Sequence, residues 1–202
     1  MPTTRMSAEE RRETIIDAAM ELIAQRGFDA TPTLAIAKGA GISHAYLFRL
    51  FPSKDDLVVA VVQRCNARVA HVMQRAASEA TAADGPPLEA MGKAYTELLE
   101  DRDVLLVQLH AHAASATMPA VREAMRASFA ELTDLTQRVS GADSDEIRGF
   151  FAQGMLCNVI AALDLYGLDT DWARVLTGGV DAQLGGCTAT AATPTPDAAD
   201  TD

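Results

Sequence analysis

The stretch GISHAYLFRLFPSK, residues 41–54, contains a short helix between two structure-breaking signals. Gly41 precedes the helix, Ser43 can cap its first turn, and Pro52 cannot continue it. Three aromatic side chains, a histidine and an arginine fall within residues 44–51, although only 5% of the whole chain is aromatic. Such a concentration on two helical turns indicates a helix that contacts a partner.

The spacing within this helix separates a packing face from an exposed face. Leu47 and Phe51 lie four residues apart and are predicted to face the core, whereas Ala45 and Arg49 point the opposite way. The small alanine allows close approach to a surface, and the arginine offers the forked donor that reads guanine edges. As an alternative, the flanking aromatic side chains only pack and Arg49 is a solvated charge, because short look-alikes of this pattern are common.

A second short helix precedes this one and completes a helix-turn-helix pattern. We expect Thr31 to cap it and Pro32 to open it, so that it runs through Lys38 to a tight turn at residues 39–42. The next helix begins at residues 43–44, where free amides and the positive end of the helix dipole suit a phosphate group.

The composition of the chain favours packed helices inside a cell. Nearly half of the 202 residues are hydrophobic, and no apolar run reaches the 18 residues of a membrane span. The first residues lack the apolar stretch of a secretory signal, which predicts a cytoplasmic protein. Cys65, Cys157 and Cys187 show no metal-ligand spacing, so we predict no metal site, no cofactor and no disulfide framework. A redox-sensing thiol is the alternative.

The charge is unevenly distributed along the chain. The formal net charge is -11, yet residues 1–56 hold seven Lys/Arg against eight Asp/Glu, and the remainder holds ten against twenty. The acidity therefore belongs to the second part, and the first part can still present a local basic surface to nucleic acid.

The rest of the chain shows helical punctuation, and no segment alternates like a strand. Capping boxes at Ser7 with Glu10 and at Ser53 with Asp56 predict two helix starts, and Gly27 can end the first helix. The sequence therefore predicts an all-α protein with three short N-terminal helices followed by about six longer ones.

Three regions follow from this pattern. Residues 1–53 are predicted to form a helix-turn-helix domain for DNA binding, and residues 54–184 a larger helical domain. Within the larger domain, the helix DSDEIRGFFAQGMLCNVIAALDLYG is expected to close at Gly167. Residues 185–202 are small, polar and proline-bearing, which predicts a disordered tail.

Residues from about 14 to 57 resemble the DNA-binding domain of the tetracycline-repressor (TetR/AcrR) family of bacterial transcription regulators. The matching segments are IIDAAMELIAQRGFDAT, IAKGAGIS and AYLFRLFPSKDDL. The later segment FFAQGMLCNVIAALDL also looks like the penultimate helix of many members. The resemblance implies an all-helical fold, a DNA-binding role without catalysis, and a second domain that binds a ligand and forms a dimer.

The resemblance also assigns DNA contacts by position. Base or backbone contacts are expected from Ser43, His44, Ala45, Tyr46 and Arg49, and phosphate contacts from Thr31, Thr33 and Lys54. Three residues depart from the family pattern: Phe48 stands where tyrosine is usual, Leu50 at a frequently polar position, and Pro32 in place of a second threonine. These departures predict weaker phosphate binding, or a contact between Phe48 and a thymine methyl group.

The larger domain offers candidates for an effector pocket and a dimer seam. The pocket candidates are Leu105, Leu109, His110, Met125, Phe129, Phe150, Met155 and Asn158. The seam candidates are Ala152, Ala161, Ala162, Gly178 and Gly179. Glycine inside a helix costs about 1 kcal/mol, so a close contact between helices is expected to justify it. Plain core packing is the alternative for the apolar candidates, and packing within one chain for the small ones.

Two polar features of this domain lead to narrower expectations. His110 and His112 are two residues apart, so they point to opposite sides of a helix and cannot form an i, i+4 metal pair. His110 could reach a pocket, and the favoured alternative is a histidine that is exposed or hydrogen-bonded within the chain. If Asn158 is buried, it needs a hydrogen-bond partner, which we expect across the dimer or on a ligand.

We therefore predict a ligand-responsive, dimeric transcriptional regulator, most simply a repressor. It would bind a palindromic double-stranded DNA operator and be released by a small apolar effector. One alternative is a helical sensor or interaction module with weakened DNA binding, suggested by Phe48, Leu50 and Pro32. A less favoured alternative is an all-α enzyme on a hydrophobic substrate, for which the sequence offers no nucleophile–base pair, metal set or phosphate-cradling loop.

Overall fold

The computed structural model describes residues 7–183, with the backbone alone for residues 179–183. Regular structure in this part of the chain is helical throughout, which confirms the predicted all-α fold with three helices followed by six. The first helix is not short as predicted, because it runs for 23 residues. The helices are α1 (Ala8–Ala30), α2 (Thr33–Gly39), α3 (His44–Leu50), α4 (Lys54–Ala82), α5 (Pro87–Leu98), α6 (Arg102–Ala114), α7 (Pro119–Ser140), α8 (Ser144–Ala162) and α9 (Asp171–Gln183). The predicted disordered tail, residues 185–202, lies outside the described residues.

The two predicted capping boxes are both present. The backbone amide of Glu10 donates to Ser7 Oγ over 3.1 Å, and the Ser7 amide donates to the Glu10 carboxylate. At the start of α4, Ser53 and Asp56 exchange the same pair of hydrogen bonds, over 2.9 and 3.1 Å. Each box satisfies amides that have no partner within the helix, and so fixes the residue at which the helix begins.

The junction between α1 and α2 differs from the prediction. Pro32 is the N-cap of α2, and Thr31 is the C-cap of α1. The Thr31 side chain is fully buried, and its hydroxyl donates to the carbonyl oxygen of Gly27 over 2.7 Å. The predicted cap by Thr31 is therefore wrong, because its hydroxyl closes the preceding helix. Gly27 breaks α1 as expected, with a φ of 79° that favours glycine, and one more turn follows to Ala30.

The end of α8 also differs from the prediction. The helix stops at Ala162, and a short 3-10 turn (Leu165–Gly167) follows. Asp164 between them has a φ of 51°, a left-handed conformation that ends an α-helix and that aspartate tolerates better than most residues. This turn directs Leu165 back into the core, where it is 1% exposed.

A single hydrophobic core joins the first three helices to the later ones. Helix α4 is central, and it packs against α1, α5, α6 and α7. Leu47 of α3, Leu57 at the start of α4 and Leu105 of α6 are all fully buried members of this core. Burial of apolar side chains thus holds α1, α2 and α3 on the later helices.

Among residues 7–183, no single helix is long and apolar enough to cross a membrane. Helices α6 and α7 meet that standard of length and composition only when taken together, and they are bent by 119° at their junction.

Candidate nucleic-acid interface and internal cavity

The two faces of α3 are arranged as its spacing predicts. Leu47 is 0% exposed, and Phe51, which follows the helix, is 1% exposed. Ala45 and Arg49 are exposed on the opposite face. Phe48 is also exposed, at 38%, which is unusual for a large apolar side chain that has no protein surface to cover.

A hydrogen bond joins the first residue of α2 to the first residue of α3. Thr33 Oγ1 lies 2.8 Å from His44 Nε2, and the His44 ring meets the Phe48 ring edge-on, with 5.0 Å between centroids. Ser43 Oγ accepts from the backbone amide of Tyr46 over 3.2 Å, so its hydroxyl hydrogen remains available to an oxygen of a partner. These contacts fix the predicted DNA-contacting side chains as one surface.

The two cationic residues near α3 have different surroundings. Arg49 is exposed, and within residues 7–183 its guanidinium has no recorded hydrogen bond or ion pair. Lys54 is half-buried, and its Nζ donates to the carbonyl oxygen of Asp29 over 2.9 Å. An ammonium group has three donors, so Lys54 is held in place and keeps two donors for a phosphate.

The segment that contains α2 and α3 carries no negative side chain between Asp29 and Asp55. Residues 30–54 contain Lys38, Arg49 and Lys54 and no aspartate or glutamate, in a chain whose net charge is -11. All three cationic side chains have exposed surface. The local potential therefore favours an anionic partner although the whole protein is acidic.

Two residues on this side of the molecule revise the predicted set. Thr31 has no exposed surface, so we withdraw it from the predicted phosphate contacts. Leu34 on α2 is 63% exposed and was missed by the sequence reasoning. Its spacing of three residues from the buried Ala37 indicates a core position, and the sequence carries no signal against that interpretation.

An internal cavity lies among α4, α5, α6, α7 and α8. Its volume is about 50 Å³, counted as the space open to the centre of a water-sized sphere. Five of the eight predicted pocket residues line it: Met125, Phe129, Phe150, Met155 and Asn158. Leu105 is wholly buried in the core instead, and Leu109 packs against that core.

The two histidines of α6 do point to opposite sides, but His112 is the one that lines the cavity. His110 faces α1, where its Nε2 lies 3.2 Å from the carbonyl oxygen of Ala24. His110 therefore does not line this cavity; it has a hydrogen-bond partner on α1 and lines a separate surface pocket beside Gly27 and Phe28. Burial lowers the pKa of His112, which keeps its ring neutral near pH 7. The ring meets Phe129 edge-on, with 5.8 Å between centroids.

A buried hydrogen-bonded cluster of Tyr95, Gln108 and Asn158 forms part of the cavity wall. The Tyr95 hydroxyl lies 3.1 Å from Gln108 Oε1 and 3.0 Å from Asn158 Oδ1, and Asn158 Nδ2 donates to it over 2.8 Å. Asn158, 1% exposed, thus has hydrogen-bond partners within its own chain. Burial raises the pKa of Tyr95 well above its ordinary value, so the hydroxyl stays protonated.

Helices α8 and α9 present apolar side chains that this chain does not cover. Val159, Leu163, Trp172 and Val175 are 44%, 59%, 53% and 77% exposed. Among the predicted seam residues, Ala152 and Gly178 are exposed, whereas Ala161 and Ala162 pack partly against the core of their own chain. The surroundings of Gly179 lie outside the described residues. A Cβ added at Gly149 or Gly178 would meet nothing within 4 Å, so packing within the chain does not explain either glycine.

The chemistry of metal binding and thiol reactivity has little support in the described part of the chain. Within residues 7–183, no group of three or more His, Cys, Asp or Glu side chains is placed to hold a metal ion. Cys65 and Cys157 are both buried thiols. Burial raises the pKa of Cys65 to about 12, which leaves almost no thiolate at neutral pH and argues against the redox-sensor alternative for this residue. Cys187 lies outside the described residues.

Known proteins match the N-terminal part of this chain in sequence. The family described as bacterial regulatory proteins, tetR family, matches residues 15–61. The HTH-type transcriptional regulator YvkB of Bacillus subtilis is 36% identical over 61 residues, which cover 30% of this chain and 32% of YvkB. The HTH-type transcriptional repressor KstR of Rhodococcus jostii is 38% identical over 56 residues, 28% of this chain and 26% of KstR. Each of these matches spans less than a third of the relative's length.

The likeness in fold extends further than the likeness in sequence. The crystal structure of a TetR-like transcriptional regulator from Rhodococcus sp. RHA1 superposes with a TM-score of 0.59 and 24% identity. That superposition covers 89% of this chain and 92% of the other. The shared fold therefore includes the helices beyond residue 61.

Proposed function

We propose that this chain, whose residues 15–61 match the tetR family of bacterial regulatory proteins, is a member of that family and a DNA-binding transcriptional repressor controlled by a small ligand. Residues 1–53 would read the DNA, and residues 54–184 would hold the ligand and form a homodimer. A repressor acts on the bacterial chromosome, so the proposal places the protein in the cytoplasm. KstR is named a repressor, which supports repression, and not activation, as the mode of regulation.

The observation that carries the proposal is the exposed face of α3. A helix of two turns presents an exposed phenylalanine and an arginine without a protein partner, within a segment that has no acidic side chain. Arginine donors match guanine in the major groove, and an apolar ring suits the methyl group of thymine. A solvated surface helix gains nothing from either feature, whereas a helix that enters a groove uses both.

The uncovered face of α8 and α9 supports the homodimer. Four exposed large apolar side chains lie near the end of α8 and on α9, and Gly149 and Gly178 leave room for a close approach. A two-fold dimer would cover this face with the same face of a second copy. It would also present two copies of α3 to successive major grooves, which is why a palindromic operator is expected.

The internal cavity supports control by a ligand. It lies among the helices that carry α1 to α3, since α4 and α6 both pack against α1. A ligand that enlarges the cavity would shift these helices, and it would change the spacing of the two α3 helices in the dimer. Ligand binding would then favour a state that no longer fits the operator.

Fluorescence anisotropy with the DNA upstream of the protein's own gene tests the proposal. The full chain is expected to bind this duplex about a thousandfold more tightly than a scrambled duplex of equal composition at moderate salt. Titrations at two salt concentrations separate specific binding from the phosphate contribution. Equal affinity for both duplexes, or no binding at low salt, would favour the sensor-module alternative that Phe48, Leu50 and Pro32 suggest.

A further inference from the structure

We infer that the cavity takes an uncharged, mainly apolar ligand with one group that both donates and accepts a hydrogen bond, such as a hydroxyl. This inference rests on the proposed function, because it names the chemical class of the ligand that would control DNA binding. Three properties of the cavity wall carry it: the absence of charge, the hydrogen-bonding capacity of the buried cluster, and a largely apolar remainder, whose polar members are His112 and the hydrogen-bonded pair Asn66 and Ser128.

The cavity wall offers no partner to a charged ligand. Among the described residues that line it, none is an aspartate, glutamate, lysine or arginine. The two titratable groups on the wall, His112 and Tyr95, are both held neutral by burial. A carboxylate or ammonium group would lose its hydration here without an opposite charge to replace it, which is strongly unfavourable.

The hydrogen-bonded cluster can still accept one hydrogen bond and donate another. The single hydroxyl hydrogen of Tyr95 can serve either Gln108 Oε1 or Asn158 Oδ1, so one of these two acceptors is always unfilled. Both amide hydrogens of Asn158 are used, on Tyr95 and on the carbonyl of Gly154. The Gln108 amide directs one hydrogen to the carbonyl of Val104, and its second has no recorded partner.

A ligand that fills this capacity must accept from Gln108 and donate to the unfilled carbonyl oxygen. A hydroxyl group does both with one oxygen atom, and a neutral amide does both with two atoms. An ether, a ketone or a hydrocarbon leaves the acceptor unfilled, and an unfilled buried polar group weakens binding. The cluster therefore distinguishes ligands by their head group.

The remaining wall suits an apolar body that is planar or slender. Phe129, Phe150 and Phe151 line one part of it, with neighbouring ring centroids 5.7–5.8 Å apart. The volume of about 50 Å³ is well below the 300 Å³ of the smaller drug-sized pockets, so the wall must yield to admit a ligand. Met125 and Met155 on the wall can do so, because an unbranched thioether side chain changes shape readily.

Three matched probes test the inference: 4-propylphenol, propylbenzene and 4-propylbenzoate, titrated calorimetrically into the full chain at pH 7. The phenol is neutral and both donates and accepts, the hydrocarbon lacks the head group, and the benzoate is an anion of similar size. The phenol is expected to bind about three- to tenfold more tightly than propylbenzene, the value of one net hydrogen bond. The benzoate is expected to show no binding. Benzoate binding at least as tight as the phenol, equal binding of all three, or no binding of any would overturn the inference.

The variant Gln108→Leu locates the head group, because it removes the amide that donates to the ligand and leaves Tyr95 to fill the one remaining acceptor on Asn158. It is expected to lose the preference for the phenol over propylbenzene while it keeps its affinity for propylbenzene. Gln63→Leu is the matched control, because Gln63 is exposed on α4 outside the cavity, and it should keep the preference. A preserved preference in Gln108→Leu overturns the assignment. If that variant does not fold, as judged by circular dichroism, the three probes on the unmodified protein still decide the ligand class.

A parallel titration with the upstream duplex separates this inference from the proposed function. If the phenol binds as expected but the duplex stays bound, the ligand class stands and control of DNA binding by this cavity fails. If the duplex is bound specifically but no probe binds, the ligand class fails and the repressor stands.

Discussion

The guanidinium of Arg12 lies over the ring of Phe51, with Arg12 Cζ 4.2 Å from the ring centroid. The same side chain donates from Nη1 to the carbonyl oxygen of Leu50, the last residue of α3. A positive charge at this place also faces the negative end of the helix dipole. One residue of α1 therefore holds the C-terminal end of the helix that we propose enters the DNA.

Replacement of Arg12 by alanine is expected to lower the free energy of unfolding by about 1–2 kcal/mol, because a cation–π contact and a charge-assisted hydrogen bond are lost together. Arg12→Lys should recover only part of this, since lysine cannot stack and donate in the same geometry. Urea unfolding followed by circular dichroism measures both. Arg11→Ala is the control, and equal losses for the two alanine variants would contradict the positioning role.

Arg49 and Lys54 are expected to contribute differently to DNA binding. Arg49→Ala should cost about 1–3 kcal/mol on the cognate duplex and relax the preference at one position per half-site. Lys54→Ala should weaken all sequences similarly and reduce the salt dependence by about one unit per lost phosphate contact. Titrations of both variants against cognate and scrambled duplexes at several salt concentrations measure this.

The bond from Lys54 to Asp29 requires one further measurement, since its loss can also loosen the start of α4. Unfolding of Lys54→Ala therefore accompanies the DNA titration. Equal losses on both duplexes for Arg49→Ala would mean that Arg49 contacts only phosphate. Specificity would then come from His44, Ala45, Tyr46 and Phe48.

Gly178→Leu is expected to weaken the proposed dimer without disturbing the folded chain. A Cβ added at Gly178 meets nothing within 4 Å, so we expect the leucine side chain to extend away from its own chain and to clash with a second copy in the proposed dimer. Overpacking of this kind costs about 1–3 kcal/mol, here in the free energy of association. Analytical ultracentrifugation over a dilution series measures the change. Ala120→Leu, an exposed site on α7, is the control, and similar dissociation of both variants would contradict a seam at α9.

The buried thiol of Cys65 predicts a loss of stability in alkaline solution. Its pKa rises from 9.0 to about 12 on folding, because burial opposes the thiolate. Between these values the unfolded chain releases the proton and the folded chain keeps it, so the free energy of unfolding falls with rising pH. The slope from this group is at most about 1.4 kcal/mol per pH unit. Urea unfolding at pH 8, 9 and 10 should show a shallower decline for Cys65→Ala, and an unchanged decline would contradict this cause.

Local sequence signals predicted the features that depend on neighbouring residues. The capping boxes join residues three apart, and the two faces of α3 follow from the spacing of Leu47 and Phe51. These interactions are decided within one or two helical turns, so the printed sequence contains all the partners. Thr31 shows the limit of such reasoning, because its hydroxyl could cap the end of α1 or the start of α2. The side chain is buried in the folded protein and caps the end of α1.

The polar part of the cavity could not be predicted from the sequence. Asn158 was recognised as a side chain in need of a partner, but Tyr95 lies 63 residues away and on another helix. The periodicity of α5 and α6 puts Tyr95, four residues after Met91, and Gln108, four after Val104, on buried faces, but it does not pair them with each other or with Asn158. Such pairings follow from how α5, α6 and α8 cross, and that crossing is set by the packing of the whole helical body.

Trp172 is the single tryptophan of the chain, and it lies half-exposed on the uncovered face of α9. Its indole emission would shift to shorter wavelength as a second copy excludes water from this face. The protein thus carries its own spectroscopic reporter of self-association, which needs no dye and no added label. Dilution of the unmodified chain in a fluorimeter can follow assembly at concentrations too low for scattering methods.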